Sequence, residues 1–176
     1  MNGYLPWLAA ASIGLSACAS SNVIVVDPSA EQGDLSSLEG DWDGTLRYLD
    51  YGDNESYVSL KTQATYRLGR DQIKTSYAYT EPNGEIINDK GSIKLSSDGT
   101  VAMDGLTYRI LDIDKEGDAP WSAIRMEAPG VDNGSPGMIT ITIAMAGDAL
   151  TITKDVLLEG ETDPYTRNEY AFQRVE

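Results

Sequence analysis

The side chains able to do chemistry in this 176-residue chain are unevenly chosen: 28 acidic residues, ten tyrosines, one cysteine and no histidine. Without an imidazole there is no group poised to move protons near neutral pH, no Ser–His or Cys–His pair, and none of the usual zinc or haem ligation. Paired carboxylates can hydrolyse glycosides unaided by histidine, yet with 28 acids in the chain nothing singles out one pair. The stretch Asp112-Ile113-Asp114-Lys115-Glu116-Gly117-Asp118 offers oxygens where a calcium loop needs them and a Gly at its turn. Its last ligand position, which requires a bidentate Glu, holds Ala123, so an acidic hairpin loop is expected and no metal. Asp50, Asp53 and Glu55 read in the same way as a solvated loop. The chain is expected to be no enzyme and to carry no cofactor.

The tyrosines are the better candidates. Tyr48, Tyr66, Tyr77, Tyr79 and Tyr108, with Phe172, fall on core-facing positions of strand-like runs. A buried phenol needs a hydrogen-bond partner, so such a group predicts an interior that is partly polar or wet. Two readings stay open: these six residues line a ligand pocket, or they fill a core with hydroxyls that bond one another or reach its mouth. The formal net charge of −15 repels phosphate backbones, and Lys61, Lys90, Lys94 and Lys154 are scattered singly, so no nucleic-acid partner is expected.

Period-two alternation is what would position these side chains. Trp42, Gly44, Leu46 and Tyr48 share one face of a first strand. Val58, Leu60, Thr62, Ala64, Tyr66 and Leu68 form the inner face of a second, and Ile73, Thr75, Tyr77 and Tyr79 that of a third. Further strands are predicted at Gly91–Leu95, Val101–Met103, Leu106–Ile113, Ser122–Ala128, Met138–Met145, Leu150–Leu157 and Arg167–Val175. Pro82-Asn83-Gly84, Asp98-Gly99 and Gly147-Asp148 supply hairpin chemistry between them. The result is an all-β chain: an antiparallel meander of about eight to ten strands with no helix, closed into a barrel because closure removes its edges.

Gly40-Asp41-Trp42, at the opening of the first strand, resembles the G-x-W motif of the calycins, the group of lipocalins, fatty-acid-binding proteins and avidins. That resemblance implies a basic residue on the last strand packed across the Trp. Tyr170, Phe172 and Arg174 alternate there, so Trp42 and Arg174 are the expected barrel-closing pair, with Asp41 or backbone carbonyls as partners for the guanidinium. With one cysteine the domain has no internal disulfide, unlike typical lipocalins.

Residues 1–17 carry no Asp, Glu, Lys or Arg. Their apolar run is too short, and too interrupted by Pro6 and Gly14, to span a bilayer, which suits a cleaved signal. Leu15-Ser16-Ala17-Cys18 resembles the lipobox of bacterial lipoproteins, which implies lipidation of Cys18 with diacylglycerol and a palmitate-type acyl chain. An unmodified thiol after an ordinary signal peptide is the alternative. Ala19 in place of Asp implies the outer membrane, facing the periplasm or the cell surface. Residues 18–37 then form a tether, in which Val23-Ile24-Val25-Val26 is expected to have little structure, and residues 38–176 form the lipocalin-like barrel. The expected function is a lipid-anchored cell-envelope barrel that binds a small apolar or amphipathic molecule. The alternative is an accessory envelope lipoprotein with a filled barrel, acting on a protein partner.

Overall fold

The computed structural model describes residues 32–115 and 121–176. The expected signal peptide, Cys18, Val23-Ile24-Val25-Val26 and Glu116-Gly117-Asp118 of the acidic stretch lie outside the described residues. Ten strands follow one another: β1 (Gly40–Leu49), β2 (Tyr57–Leu68), β3 (Ile73–Thr80), β4 (Ile86–Leu95), β5 (Thr100–Met103), β6 (Leu106–Asp114), β7 (Ala123–Asp132), β8 (Ser135–Ala146), β9 (Ala149–Leu158) and β10 (Tyr165–Arg174). Each pairs antiparallel with the next, and β10 pairs with β1, closing the barrel as the alternation predicts. At the seam Trp42 stands opposite Arg174 and Leu46 opposite Tyr170.

The register follows from burial. Leu60, Thr62, Ala64 and Tyr66 of β2 are each at most 5% exposed, while Ser59, Lys61, Gln63 and Arg67 face water. A one-residue slip would invert that whole set. Two tight hairpins depend on left-handed turn residues: Asp104-Gly105 joins β5 to β6 with φ of 51° and 78°, and Asn133-Gly134 joins β7 to β8 with φ of 46° and 82°.

Three expectations need correction. Leu68, placed in the core, is 41% exposed, because it ends β2 at the rim beyond Tyr66. A 3-10 helix spans Gln32–Leu38, where no helix was expected, and Leu35 and Leu38 are buried in the core. The fourth strand begins at Ile86, five residues before the predicted Gly91. Its first half is exposed on both faces, so it lacks the alternation by which a strand is recognised.

That exposure has a cause in the barrel wall. β5 has only four residues before the Asp104-Gly105 turn, and β4 meets it through Ile93–Met103, Lys94–Ala102 and Leu95–Val101 alone. Residues 86–92 therefore pair on the β3 side only, among the described residues. A cleft of about 700 Å³ opens between β4 and the β5–β6 hairpin, lined by Asp89, Gly91, Met103, Asp104 and Leu106 among others.

Candidate functional site

One end of the barrel is sealed. The Arg174 guanidinium carbon lies 4.2 Å from the centroid of the Trp42 ring, within the cation–π range of about 6 Å. Its Nη1 donates to the Glu39 carbonyl at 2.5 Å and its Nη2 to the Ser37 carbonyl at 2.8 Å. Trp42 Nε1 donates to the Leu38 carbonyl at 3.0 Å. The pair thus pins the end of the 3-10 helix across the barrel. Gly40 belongs to the same device: its φ is +146°, and a Cβ there would lie 2.4 Å from Arg174 Nη1. Asp41, offered as a partner for Arg174, instead accepts from Arg67 Nη2 at 2.7 and 2.8 Å and from Thr65. The Arg67 hydrogen bond, then that from Thr65, holds its carboxyl below the ordinary value. Beneath the seal only about 20 Å³ of cavity remains, walled by Leu35, Ile93, Val101, Ile110, Trp121 and other apolar side chains. That is room for about one water with nothing polar to bond it, so the pocket stays dry.

The middle of the barrel carries a band of rings. The Tyr66 and Tyr77 hydroxyls are 2.8 Å apart, and those of Tyr79 and Tyr170 are 3.1 Å apart. Tyr77 stacks on Tyr79 with centroids 5.9 Å apart, and Tyr170 stacks on Phe172 at 5.6 Å. Tyr77 and Tyr170, 5.6 Å apart, join the two halves. Four of the six sequence-predicted positions, Tyr66, Tyr77, Tyr79 and Phe172, are therefore one cluster completed by Tyr170. Tyr108 is buried on the β6 wall, and Tyr48 lines the open end. Burial raises the pKa of every one of these phenols; for Tyr108, burial and then the charge of Asp104 push it up to about 12. A pair of phenols has two O–H donors and uses one of them between the rings, so each pair retains one donor for something else.

Toward the other end the interior opens. Leu46, Tyr48, Leu60, Tyr79, Ile87 and Asn168, with Tyr51 and Glu81 at the rim, enclose about 280 Å³. Asn168 Oδ1 is buried there without a hydrogen-bond partner among the described residues. Two carboxylates, Asp89 and Asp104, line the separate lateral cleft between β4 and the β5–β6 hairpin. Asp89 lies on β4 across from Tyr77. The Asp104 carboxyl lies beside Gly91 and Thr75. Burial, then the charge of Asp89, raises the Asp104 pKa, against an opposing effect of Lys154.

Beside this mouth sits a charged cluster that the sequence did not disclose. Arg167 has no exposed surface and Asp132 only 3%. Arg167 Nε donates to Asp132 Oδ2 at 2.7 Å, Nη1 to the Leu49 carbonyl at 3.1 Å, and Nη2 to Asn54 Oδ1 at 2.7 Å and the Tyr165 hydroxyl at 3.1 Å. Asp132 also accepts from Lys154 Nζ at 3.1 Å and from the Tyr165 hydroxyl at 2.9 Å. Burial raises the Asp132 pKa, but the hydrogen bonds from Tyr165, Lys154 and Arg167 outweigh it, and the net shift is downward. Tyr51 covers the guanidinium at 4.5 Å, so this cluster holds the β1–β2 loop against the barrel. Arg167 turns inward because it sits at the irregularity between Thr166 and Asn168, where β10 slips against β9. Strict alternation from Phe172 and Tyr170 places it outside.

The structure thus defines a closed, ten-strand antiparallel barrel, sealed at the Trp42 end and open at the other. No protein-family model matches the sequence, and no curated protein matches it either. Among solved structures the chain is similar to the zebrafish ileal bile acid-binding protein complexed with cholic acid. The identity is 12%, the match covers 80% of this chain and all of that one, and the TM-score is 0.36. Among the described residues there is no group of three or more side chains able to hold a metal ion, and no helix long and apolar enough to cross a membrane.

Proposed function

We propose that this protein is a binding module whose barrel takes a small amphipathic molecule through the end opposite Trp42. The observation that carries this reading is the contrast between the two ends: about 20 Å³ of dry space under the seal against about 280 Å³ at the mouth. The larger space approaches the range of about 300–1,000 Å³ typical of ligand pockets. Its walls join apolar side chains from β1 and β2 to hydroxyls that retain free donors, which suits a molecule with an apolar body and a polar group. A lipid on Cys18 would hold the barrel at the outer membrane, a reading supported by the Leu15-Ser16-Ala17-Cys18 spacing behind an apolar run. The accessory reading, a surface that meets a protein partner, draws support from Ile86, 59% exposed on the outside of β4 near the mouth.

Native mass spectrometry of detergent-free protein tests the cavity. A small molecule should co-purify and be released by organic solvent, and Leu46→Trp, which fills the mouth, should abolish it. A wild-type protein that carries nothing and takes up nothing from a lipid or metabolite extract would leave the accessory reading. The anchor is tested separately by Cys18→Ser, which should move the protein out of the detergent phase. Unchanged partitioning would sink the lipidation.

A further inference from the structure

Resting on the reading of the mouth as a binding cavity, we infer that its ligand is uncharged and carries a hydrogen-bond donor, a hydroxyl or an amide N–H, which Asn168 receives. Among the side chains that line this space none is basic, and its one carboxylate, Glu81, stands in the turn after β3 at the rim. Arg167 and Lys154 lie close by but serve another group. Arg167 is wholly buried, and Lys154 Nζ sits 3.1 Å from Asp132 Oδ1. A carboxylate or phosphate entering the mouth would find no cation in the walls and would face Glu81. An ammonium would find only that rim carboxylate, in contact with water, where an ion pair contributes little.

Asn168 carries the polar chemistry of the inner wall. It follows Phe172 and Tyr170 on the inner face of β10, one step nearer the mouth, opposite Tyr48 on β1 and Lys154 on β9. Its Oδ1 is buried with no hydrogen-bond partner among the described residues. The donors around it are committed elsewhere: Lys154 Nζ to Asp132, and the neighbouring Arg167 to Asp132, the Leu49 carbonyl and Asn54. A carbonyl oxygen removed from water is almost always paired, because losing water without gaining a donor is costly. Here the missing donor has to come from outside the chain, and the cavity is the side on which one arrives. The terminal torsion of an Asn side chain is soft, so the amide turns its oxygen toward an entering group at little cost.

The remaining walls suit the same molecule. Leu46, Leu60 and Ile87 receive an apolar body. Tyr79, whose hydroxyl pairs with that of Tyr170 at 3.1 Å, shares with it one spare O–H that a ligand oxygen accepts. A ligand that only accepts satisfies the tyrosines and leaves Asn168 as it is. One that also donates satisfies both. Discrimination of this kind is strong where the wrong ligand leaves buried polar groups unpaired.

Isothermal titration of the full chain with octanol, octyl methyl ether, octanoate and octyltrimethylammonium tests this, because the four share one tail. Octanol should bind about tenfold more tightly than each of the others, the ether testing the donor and the two ions the charge. Asn168→Leu keeps the size of the side chain and removes the amide. It should erase the preference for octanol over the ether and leave the urea midpoint unchanged or raised, since Asn168 Oδ1 has no bond to lose. Asn168→Ala should erase the same preference without asking the wall to accept a branched side chain. Octanoate or the ammonium binding as tightly as octanol overturns the inference while leaving the cavity in place. So does a preference for octanol over the ether that survives in both variants, and a lowered midpoint beside it would assign Asn168 to the fold alone. If none of the four binds, the cavity reading fails and the inference with it.

Discussion

Replacing Arg167 with Met tests the energetics of the cluster beside the mouth. The change keeps an unbranched stem of similar reach and deletes only the guanidinium. Four acceptors then lose a donor: Asp132 Oδ2, the Leu49 carbonyl, Asn54 Oδ1 and the Tyr165 hydroxyl. Removing one partner of a buried ion pair costs about 3–5 kcal/mol. Asp132 keeps Lys154 and the Tyr165 hydroxyl, which places the expected loss at the lower end, about 3 kcal/mol. In a domain of this size that corresponds to a fall of about 6–12 °C in Tm. Urea unfolding followed by the fluorescence of Trp42 and Trp121, buried at the far end, reports the global transition rather than a local opening. Removing both partners, in Arg167→Met with Asp132→Leu, should recover part of the loss, since the buried carboxylate is no longer left short of its guanidinium, although Lys154 loses its partner. The acid limb of the stability profile should change as well. The folded pKa of Asp132 is depressed. Its contribution is therefore present above the unfolded carboxyl value of about 3.9 and is lost as pH falls through the folded one. Arg167→Met should flatten that limb. A loss below about 1 kcal/mol, or a double variant as unstable as the single, would refute the reasoning, because the buried charge would then cost little to leave unpaired.

Arg174→Ala should destabilise the barrel by about 1–3 kcal/mol, through lost packing on Trp42 and two unpaired carbonyls, as read from the urea midpoint. In alkaline absorbance titration, Tyr66, Tyr77 and Tyr170 should stay protonated until the barrel unfolds. Burial raises all three pKa values, so their contribution to stability is complete below the unfolded value of about 10 and is lost as pH climbs above it. Smooth, reversible ionisation of all ten tyrosines near that value would show that the cluster is open to bulk water.

The architecture was legible because strands buried on one face write themselves as alternation. β2 and β3 could be taken almost residue by residue, and Gly40-Asp41-Trp42 and Arg174 lie on the two strands that meet at the seam. Where the wall departs from a regular barrel the signal fails. The first half of β4 borders the cleft and has no buried face to pattern. Arg167 sits on a slip in β10 that reverses the direction its position implies. The 3-10 helix was missed because Leu35 and Leu38, set among serines, show no repeat long enough to read. Within the candidate site, the tyrosines were found by their face, and the structure adds that four of them share one cluster. The approach of Asp104 to Thr75 across the lateral cleft goes with Gly91 and a four-residue β5, neither of which announces itself in the sequence.

The seam between β1 and β10 has a consequence for how the chain acquires its shape. Nine of the ten strand pairings join neighbours in sequence and can form as local hairpins within microseconds. The tenth brings Trp42 against Arg174 from opposite ends of the domain. The entropy of that one long closure is lost before its contacts form, so it concentrates the folding barrier in a single event. A chain lengthening from its N-terminus can assemble nine strands and still present two bare edges, with the inner face of β1 unsealed. Until the ten residues of β10 arrive to occupy both edges, the unfinished sheet is a template for its own copies, and only ring closure ends that exposure.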